Sequence, residues 1–288
     1  MNTLREDKWL YTISSKQKLI NLNFKEIWRY RDLIVLFVKR DVVTVYKQTI
    51  LGPLWYFIQP LFTSIIFTVI FNDLASIPTG LAPAFLFNLA GITSWNYFKE
   101  CLTKTSTTFT SNQNIFGKVY FPRVIIPIAT ILSNLIKFGI QLIVFILFYL
   151  YYFYFLDAQI YPNSSLFLFP VLVVIMALLG LGFGMIISSL TTKYRDMTFL
   201  VQFGVQLLMY ASAVMYPISF FKAKLPRMSW LVEYNPLTTV IEAFRYMTLG
   251  VGDYSIDKLL YTFVFGIVIF LLGLIVFNRT ERSFIDTV

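Results

Sequence analysis

The chain has no histidine and a single cysteine, Cys101. These absences exclude an intramolecular disulfide, Ser-His and Cys-His nucleophile pairs, and metal sites with histidine ligands. Charged residues make up only 14% of the 288 residues, whereas a soluble domain carries roughly a quarter. No G-x-x-x-x-G-K-[ST] motif is present, because Gly117-Lys118 is followed by Val119 and position 112 is Asn. The chain therefore cannot hold nucleotide phosphates in a P-loop.

Long uncharged stretches dominate the sequence, which is 57% hydrophobic and 18% aromatic. A helix that crosses a hydrocarbon core of about 30 Å needs roughly 20 residues, and six stretches are long enough. We therefore predict an all-α integral membrane protein with six transmembrane helices. They are expected at about 54–72, 84–104, 136–155, 166–190, 198–216 and 258–277. The first residues contain no apolar signal-peptide core, so we expect the first span to direct insertion itself.

The net charge of +9 follows the predicted topology. Eighteen of the 24 Lys/Arg residues lie before the first span, between spans two and three, between spans four and five, or after span six. Five others fall within one long loop on the opposite side. This positive-inside distribution predicts that both termini are cytoplasmic, and it accounts for the basic residues without a nucleic-acid partner.

A basic segment turns into a hydrophobic one within 40–61. Its first nine residues divide into an apolar and a polar arc, which predicts an amphipathic helix lying in the membrane plane. Gly52-Pro53 then predicts an elbow before the first span. We divide the chain there into a cytoplasmic segment, 1–52, and a transmembrane domain, 53–288. Gln59-Pro60 predicts a bend in span one, which either shapes a cavity or is an incidental kink.

The second and third spans are unusual. Span two is the least hydrophobic, so its polar side chains either face a lumen or pack against neighbouring helices. These side chains are Asn88, Thr93, Trp95, Asn96 and Thr103. The third apolar region is too long for one crossing. We expect 124–135 to lie along the cytoplasmic interface and Lys137 to snorkel towards it. Gly180, Gly182 and Gly184 in span four predict close helix contacts.

Two loops stand out. In 111–123, Phe116 and Tyr120 are expected to be exposed, either in a solvated loop or on a short helix offered to a cytoplasmic partner. The outer loop 217–257 is too apolar for a free loop, and it predicts two short re-entrant or interfacial helices split at Asn235-Pro236. Within it, Glu242 and Arg245 are spaced i, i+3 and can pair.

The chain resembles the ABC-2 type permeases that export polysaccharides, such as O-antigen, capsular polysaccharide and teichoic acid. The resemblance is most specific at the elbow and covers nearly the whole chain. The elbow matches are Arg40-Asp41, Tyr46-Lys47-Gln48, Leu51-Gly52, Leu54-Trp55 and Gln59-Pro60. Further matches, in order, are Gly91…Trp95…Phe98, the GKVYFPR loop with Pro127, Tyr194-Arg195-Asp196, Asn235-Pro236 with Arg245, and Phe277…Glu281…Phe284.

The resemblance implies a channel-forming half-transporter of the cytoplasmic (inner) membrane, with no cofactor or catalytic residue in this chain. Two copies would form a homodimer, and two copies of a separate P-loop ATPase would bind ATP and Mg. The cargo would be a long glycan on an undecaprenyl-type lipid. Residues implied in ATPase coupling are Arg40, Tyr46, Lys47, Asn114, Ile115, Phe116, Gly117, Lys118, Tyr120, Arg195 and Asp196. Residues implied in an outer gate are Tyr216, Pro217, Trp230, Asn235, Pro236, Glu242 and Arg245.

Aromatic residues suit such a cargo, because sugar rings stack their C–H faces on aromatic rings. The predicted channel-lining residues are Tyr56, Phe57, Asn88, Trp95, Tyr97 and Phe98. Each aromatic among them is equally well explained as an ordinary interface residue. Two other functions stay open: an integral-membrane glycan polymerase or ligase, and an ABC-2 exporter of another lipid or a drug.

Overall fold

The computed structural model describes residues 24–47, 51–116, 118–119, 121–194 and 196–284, and the regular elements in these ranges are all helices. The α-helices are α1 (Phe24–Arg29), α2 (Arg31–Lys47), α3 (Trp55–Phe67), α4 (Ala84–Ser106), α5 (Thr108–Ser111), α6 (Gln113–Phe116), α7 (Ile125–Phe155), α8 (Phe169–Lys193), α9 (Met197–Tyr210), α10 (Ile218–Lys224), α11 (Ser229–Glu233), α12 (Pro236–Leu249) and α13 (Ile256–Phe284). A 3-10 turn, Gly52–Leu54, leads into α3, and a π-helical segment, Thr68–Leu74, extends it.

Four helices in the described ranges are long and apolar enough to cross a membrane. They are Gly52–Leu74, Ile125–Phe155, Ser164–Lys193 and Ile256–Glu281, which correspond to predicted spans one, three, four and six. The all-helical membrane fold is thereby confirmed. The other two predicted spans correspond to α4, which is long but polar, and to α9, which has 14 residues.

The third predicted span differs from its prediction. Helix α7 runs without a break over 31 residues, roughly 46 Å, so the segment 124–135 is continuous with the predicted crossing helix. Its place at the cytoplasmic interface stays a prediction. Pro127 does not interrupt α7, since it lies in the first turn, where backbone N–H groups have no intrahelical partner. Lys137 does not snorkel either. It is only 7% exposed, and its ammonium lies 3.6 Å from the Glu100 carboxylate.

The polar helix α4 forms the centre of the packing. Sixteen of its 23 residues are buried, and α3, α7, α8 and α12 pack around it. Asn88 donates hydrogen bonds to Thr68 Oγ1 (3.1 Å) and Asn72 Oδ1 (2.8 Å) of the π-helical segment. Asn88 thus uses its polar side chain for contacts between helices. This agrees with the second alternative given above for the polar residues of α4, packing against neighbouring helices.

Three glycines allow α8 to approach two helices at once, as the sequence predicts. A Cβ added at Gly180 would lie 2.6 Å from Cys101 Cβ on α4. A Cβ added at Gly184 would lie 2.5 Å from Thr105 Cβ on the same helix. Gly182 meets Ile269 and Gly273 of α13 on the other side. Small residues at alternate positions therefore seat α8 between α4 and α13.

The elbow is visible at Gly52. This residue is buried and has φ +49°, in the left-handed region that glycine adopts readily. On the preceding helix α2, Phe37 is buried against Phe121, with ring centroids 5.8 Å apart. Arg40 stacks 4.8 Å from the Phe37 ring and pairs with Asp41 at 2.8 Å. The basic segment is thus anchored to the chain just before α7.

Gly184→Ala is expected to destabilise the protein by about 1–3 kcal/mol, because the new methyl group would overpack the α4–α8 contact. The matched control is Gly139→Ala on α7, where an added Cβ meets nothing within 4 Å. This control should be neutral or stabilising by about 0.5–1 kcal/mol. Thermal unfolding of both variants in detergent gives the comparison, and equal stabilities would contradict the close packing of α4 and α8.

Candidate functional site

The helices of the predicted outer loop, α10 to α12, end with α12, the longest of the three. Asn235 caps this helix by accepting a hydrogen bond from Leu237 N, and Pro236 occupies its first turn, where a missing N–H costs nothing. The predicted split at Asn235-Pro236 is confirmed, since α11 ends at Glu233 and α12 begins at Pro236. Asn235 Nδ2 also donates to Ala211 O and Ser212 Oγ, each at 3.0 Å. The cap therefore fixes α12 to the turn after α9.

Arg245 is completely buried and joins three parts of the chain. Its Nη1 donates to Glu242 Oε1 (3.0 Å), which confirms the predicted pair, and to Ala213 O (2.8 Å). Its other nitrogens donate to Phe87 O on α4 and to Val214 O. The guanidinium also stacks 3.6 Å from the centroid of the Phe87 ring. We call Glu242, Arg245 and these acceptors the outer clamp.

Two backbone features complete the outer clamp. Glu242 Oε2 accepts the Asp253 N–H at 3.0 Å, so the carboxylate uses both oxygens. A Cβ at Gly91 would lie 2.5 Å from Arg245 Nη2 and from Val214 O, so only a glycine leaves room for this contact. Each charge in the clamp is therefore paired, as burial of charged groups requires.

The remaining residues of the predicted outer gate do not all lie beside the outer clamp. Tyr216 donates its hydroxyl hydrogen to Tyr210 O and stacks on Phe221, and Pro217 precedes α10. Trp230 is 58% exposed and lies apart from the clamp. The structure thus brings Arg245 and Asn235 onto one turn, 211–216. Glu242 is joined to this turn through Arg245, whereas Trp230 forms none of these bonds.

An ion cluster that the sequence analysis did not identify lies outside the clamp. Lys222 and Lys258 contact Glu233 and Asp253 at 2.7–3.8 Å. The hydrogen bond from Lys222 holds the pKa of Glu233 below its ordinary value. These residues are separated by up to 36 positions in the chain, so no local pattern could have revealed the cluster. It links α10, α11 and the start of α13.

Four of the predicted channel-lining residues are buried inside the protomer. Asn88, Trp95, Tyr97 and Phe98 are at most 3% exposed. They are buried because the neighbours of α4 enclose it. Their channel-lining role stays a prediction. Tyr56 and Phe57 on α3 are partly exposed, and their predicted role remains untested.

The predicted coupling surface is also revised. Phe116 is buried rather than exposed, because its ring packs near Phe109 and Phe121 and beneath Arg123. Exposed residues of the predicted set are Arg40, Lys47, Asn114, Lys118 and Asp196, and Ile115 is partly exposed. Gly117, Tyr120 and Arg195 lie outside the described residues, and so does the side chain of Tyr46.

Arg123 ties this loop to the last helix, a role that the sequence analysis missed. Its Nη1 donates to Glu281 O at 3.0 Å, and its Nε lies 3.8 Å from the Glu281 carboxylate. Burial lowers the pKa of Arg123, and the negative charge of Glu281 opposes that shift. Both residues occur in the sequence motifs that resemble the family, and this match could have drawn attention to them.

Metal binding finds no support in the described part of the chain, where no three His, Cys, Asp or Glu side chains group together.

A second charged pair, Glu100 with Lys137, lies between α4 and α7 and borders a polar cavity.

Comparison with known proteins identifies the family of this helical membrane protein. Residues 32–249 match the family model described as ABC-2 type transporter. The chain therefore belongs to the ABC-2 type transporter family.

Several relatives carry the same name. Two proteins of Klebsiella pneumoniae called O-antigen export system permease protein RfbA are 27% and 26% identical to this chain over 256 residues. Each alignment covers 88% of this chain and 94% of the relative. A protein of the same name from Myxococcus xanthus is 23% identical over 221 residues, which cover 77% of this chain and 82% of the relative.

Arg245→Ala is expected to destabilise the protein by about 3–5 kcal/mol, because it leaves the Glu242 carboxylate buried without its cation. Thermal unfolding in detergent measures the loss. Lys222→Ala serves as control, since it breaks a partly exposed pair worth about 0–1 kcal/mol. Similar losses in the two variants would contradict the assignment of the outer clamp as the main link between α4 and α12.

Proposed function

We propose that this chain is the permease subunit of an ABC exporter that moves a lipid-linked polysaccharide, the O-antigen, across the cytoplasmic membrane. Two copies would form the channel, and two copies of a separate P-loop ATPase would drive it. The observation that carries the proposal is the family match over 32–249, together with relatives named as O-antigen permeases whose alignments span most of both chains.

The proposed topology has six spans with both termini in the cytoplasm. Helix α4 measures roughly 35 Å, enough to cross, and its polar side chains are sheltered by other helices from lipid. Helix α9 measures roughly 21 Å, so the turn 211–216 would complete its crossing. Helices α10 to α12 would then re-enter from the outside, held by the outer clamp. This arrangement agrees with the positive-inside distribution.

The proposed ATPase contact lies on α6 and the residues beside it. Asn114 and Lys118 are exposed, while Phe116 anchors the segment in a cluster that includes Phe109. Phe109 in turn stacks on Phe277 of α13, with ring centroids 4.5 Å apart. A push on α6 would therefore reach the long helix α13 through packed rings. Helix α2 and Gly52 provide a second route, into α3.

In a strain that lacks the gene, we expect the lipid-linked glycan to accumulate in the cytoplasm, and expression of the chain should restore glycan at the cell surface. Affinity purification should also recover an ATPase with a P-loop. Accumulation of unpolymerised units outside the membrane would instead indicate a polymerase or ligase. Normal glycan at the surface of the deletion strain, with loss of export of another lipid or a drug, would indicate a different ABC-2 cargo.

Lys118→Glu is expected to lower transport-coupled ATP hydrolysis several-fold, because it reverses charge on the proposed ATPase contact without disturbing buried groups. ATP hydrolysis by the purified complex is the measurement. The control is Lys224→Glu, which makes the same change at an exposed residue on the proposed outer side. Normal hydrolysis in the Lys118 variant, or an equal loss in the control, would contradict the contact.

A further inference from the structure

A polar cavity of about 80 Å³ lies where α3, α4 and α7 meet. Each helix contributes polar side chains at helical spacing, so the cavity is a built feature of three elements. The lining residues are Tyr56, Gln59, Asn96, Tyr97, Lys99, Glu100, Asn134, Lys137, Phe138 and Gln141. Of these residues only Tyr56 and Tyr97 belong to the predicted channel lining, and none belongs to the predicted coupling surface, so neither prediction accounts for the charged and amide side chains.

The cavity is positively charged. Lys137 is 7% exposed and lies 3.6 Å from Glu100 and 5.2 Å from the centre of the Tyr56 ring. Glu100 also faces Lys104, on the cavity margin, at 3.9 Å. One carboxylate therefore serves two ammonium groups, and Lys99 adds a third positive charge. A buried ammonium that shares its counter-ion is suited to bind an additional anion.

The cavity also holds an unsatisfied acceptor. Asn134 is 1% exposed, and its Oδ1 has no hydrogen-bond partner among the described residues, while its Nδ2 makes only a 3.9 Å contact with Cys101 Sγ. A buried polar atom without a partner costs free energy, so a ligand that supplies a donor would be favoured there. Asn134 and Lys137 lie three residues apart on one face of α7.

We infer that this cavity is the subsite that receives the glycosyl phosphate linkage of a lipid-anchored cargo. The phosphate oxygens contact the Lys137 ammonium, and a hydroxyl of the first sugar donates to Asn134 Oδ1. This inference rests on the proposed function. It goes beyond it by naming the chemical group of the cargo that this chain recognises and the side chains that recognise it.

The position and lining of the cavity favour this occupant. Tyr56 and Gln59 lie in the first two turns of α3, so in the proposed topology the cavity sits at the depth of phosphate groups in the cytoplasmic leaflet. Tyr56, whose side chain is partly exposed, adds an aromatic face of the kind on which sugars stack. A phospholipid headgroup shares the phosphate but lacks the sugar ring that would use this face.

The test is a thermal-shift titration of the purified permease–ATPase complex in detergent. The probes are undecaprenyl diphosphate carrying one N-acetylglucosamine, undecaprenyl diphosphate alone, and phosphatidylglycerol. Lys137→Gln should weaken binding of both undecaprenyl lipids about 10- to 100-fold, the effect of losing a hydrogen bond to a charged group. Asn134→Leu should weaken the glycosylated probe alone by about fivefold, the effect of losing a neutral hydrogen bond.

Lys104→Gln is the matched control. It removes the same charge beside the same Glu100, but Lys104 is partly exposed and does not line the cavity, so affinity should change less than about twofold. Because Glu100 keeps Lys104 when Lys137 is replaced, Lys137→Gln strands no carboxylate. Lys137→Arg, which keeps the charge, should retain most of the affinity.

Three results would overturn the inference. Wild-type affinity in Lys137→Gln would show that Lys137 does not bind the phosphate. An equal loss of affinity in Lys104→Gln would show that only the overall positive charge near Glu100 matters. An equal loss for phosphatidylglycerol would make the cavity a general phospholipid headgroup site. The export assay separates these outcomes from failure of the proposed function: a chain that restores glycan export while Lys137→Gln binds normally refutes the subsite alone.

Discussion

The central constraint on this protein is that a polar helix must be kept away from lipid. Unsatisfied polar groups in a hydrocarbon layer cost several kcal/mol each, so α4 is stable there only inside a shell of other helices. The glycines of α8 let that shell close tightly on one side, and the outer clamp fixes it on another. Arg245 reaches Phe87 O on α4 and two carbonyls of the turn 211–216. The positions of α3, α7 and α12 follow from the need to surround α4.

Sequence patterns predicted the parts of the fold that depend on local chemistry. Long apolar runs located four membrane helices, Asn235-Pro236 located the start of α12, and the i, i+3 spacing predicted the Glu242–Arg245 pair. Sequence patterns failed where a property depends on tertiary packing. Phe116 was expected on the surface because it lies in a predicted loop, but Phe109 and Phe121 cover it. The burial of Trp95 and Phe98 by the packing of α4 was likewise not predicted from the sequence. Hydropathy alone cannot report such shielding.

The charged groups of the membrane domain divide into two types. The outer clamp is rigid, since Arg245 and Glu242 each use several hydrogen bonds and are almost inaccessible. The pair at the other end of α4 is looser. Glu100 lies 3.6 Å and 3.9 Å from two ammonium groups, beyond ordinary hydrogen-bond length, and its side chain is 37% exposed. The two ends of α4 therefore differ, because the charged pair is rigid at one end and loose at the other.

The loose pairing of Glu100 affects the free energy of binding an anionic ligand. If Glu100 contacted Lys137 alone, an arriving phosphate would leave a carboxylate without a cation, and the desolvation penalty would oppose binding. With Lys104 beside it, Glu100 remains paired when Lys137 turns to a new anion. Asn134 Oδ1 gains a partner in the same step. Entry of a glycosyl phosphate therefore leaves each charge compensated and adds one hydrogen bond. A neutral lipid would offer neither gain, so the cavity selects for cargo that carries both an anion and a hydroxyl.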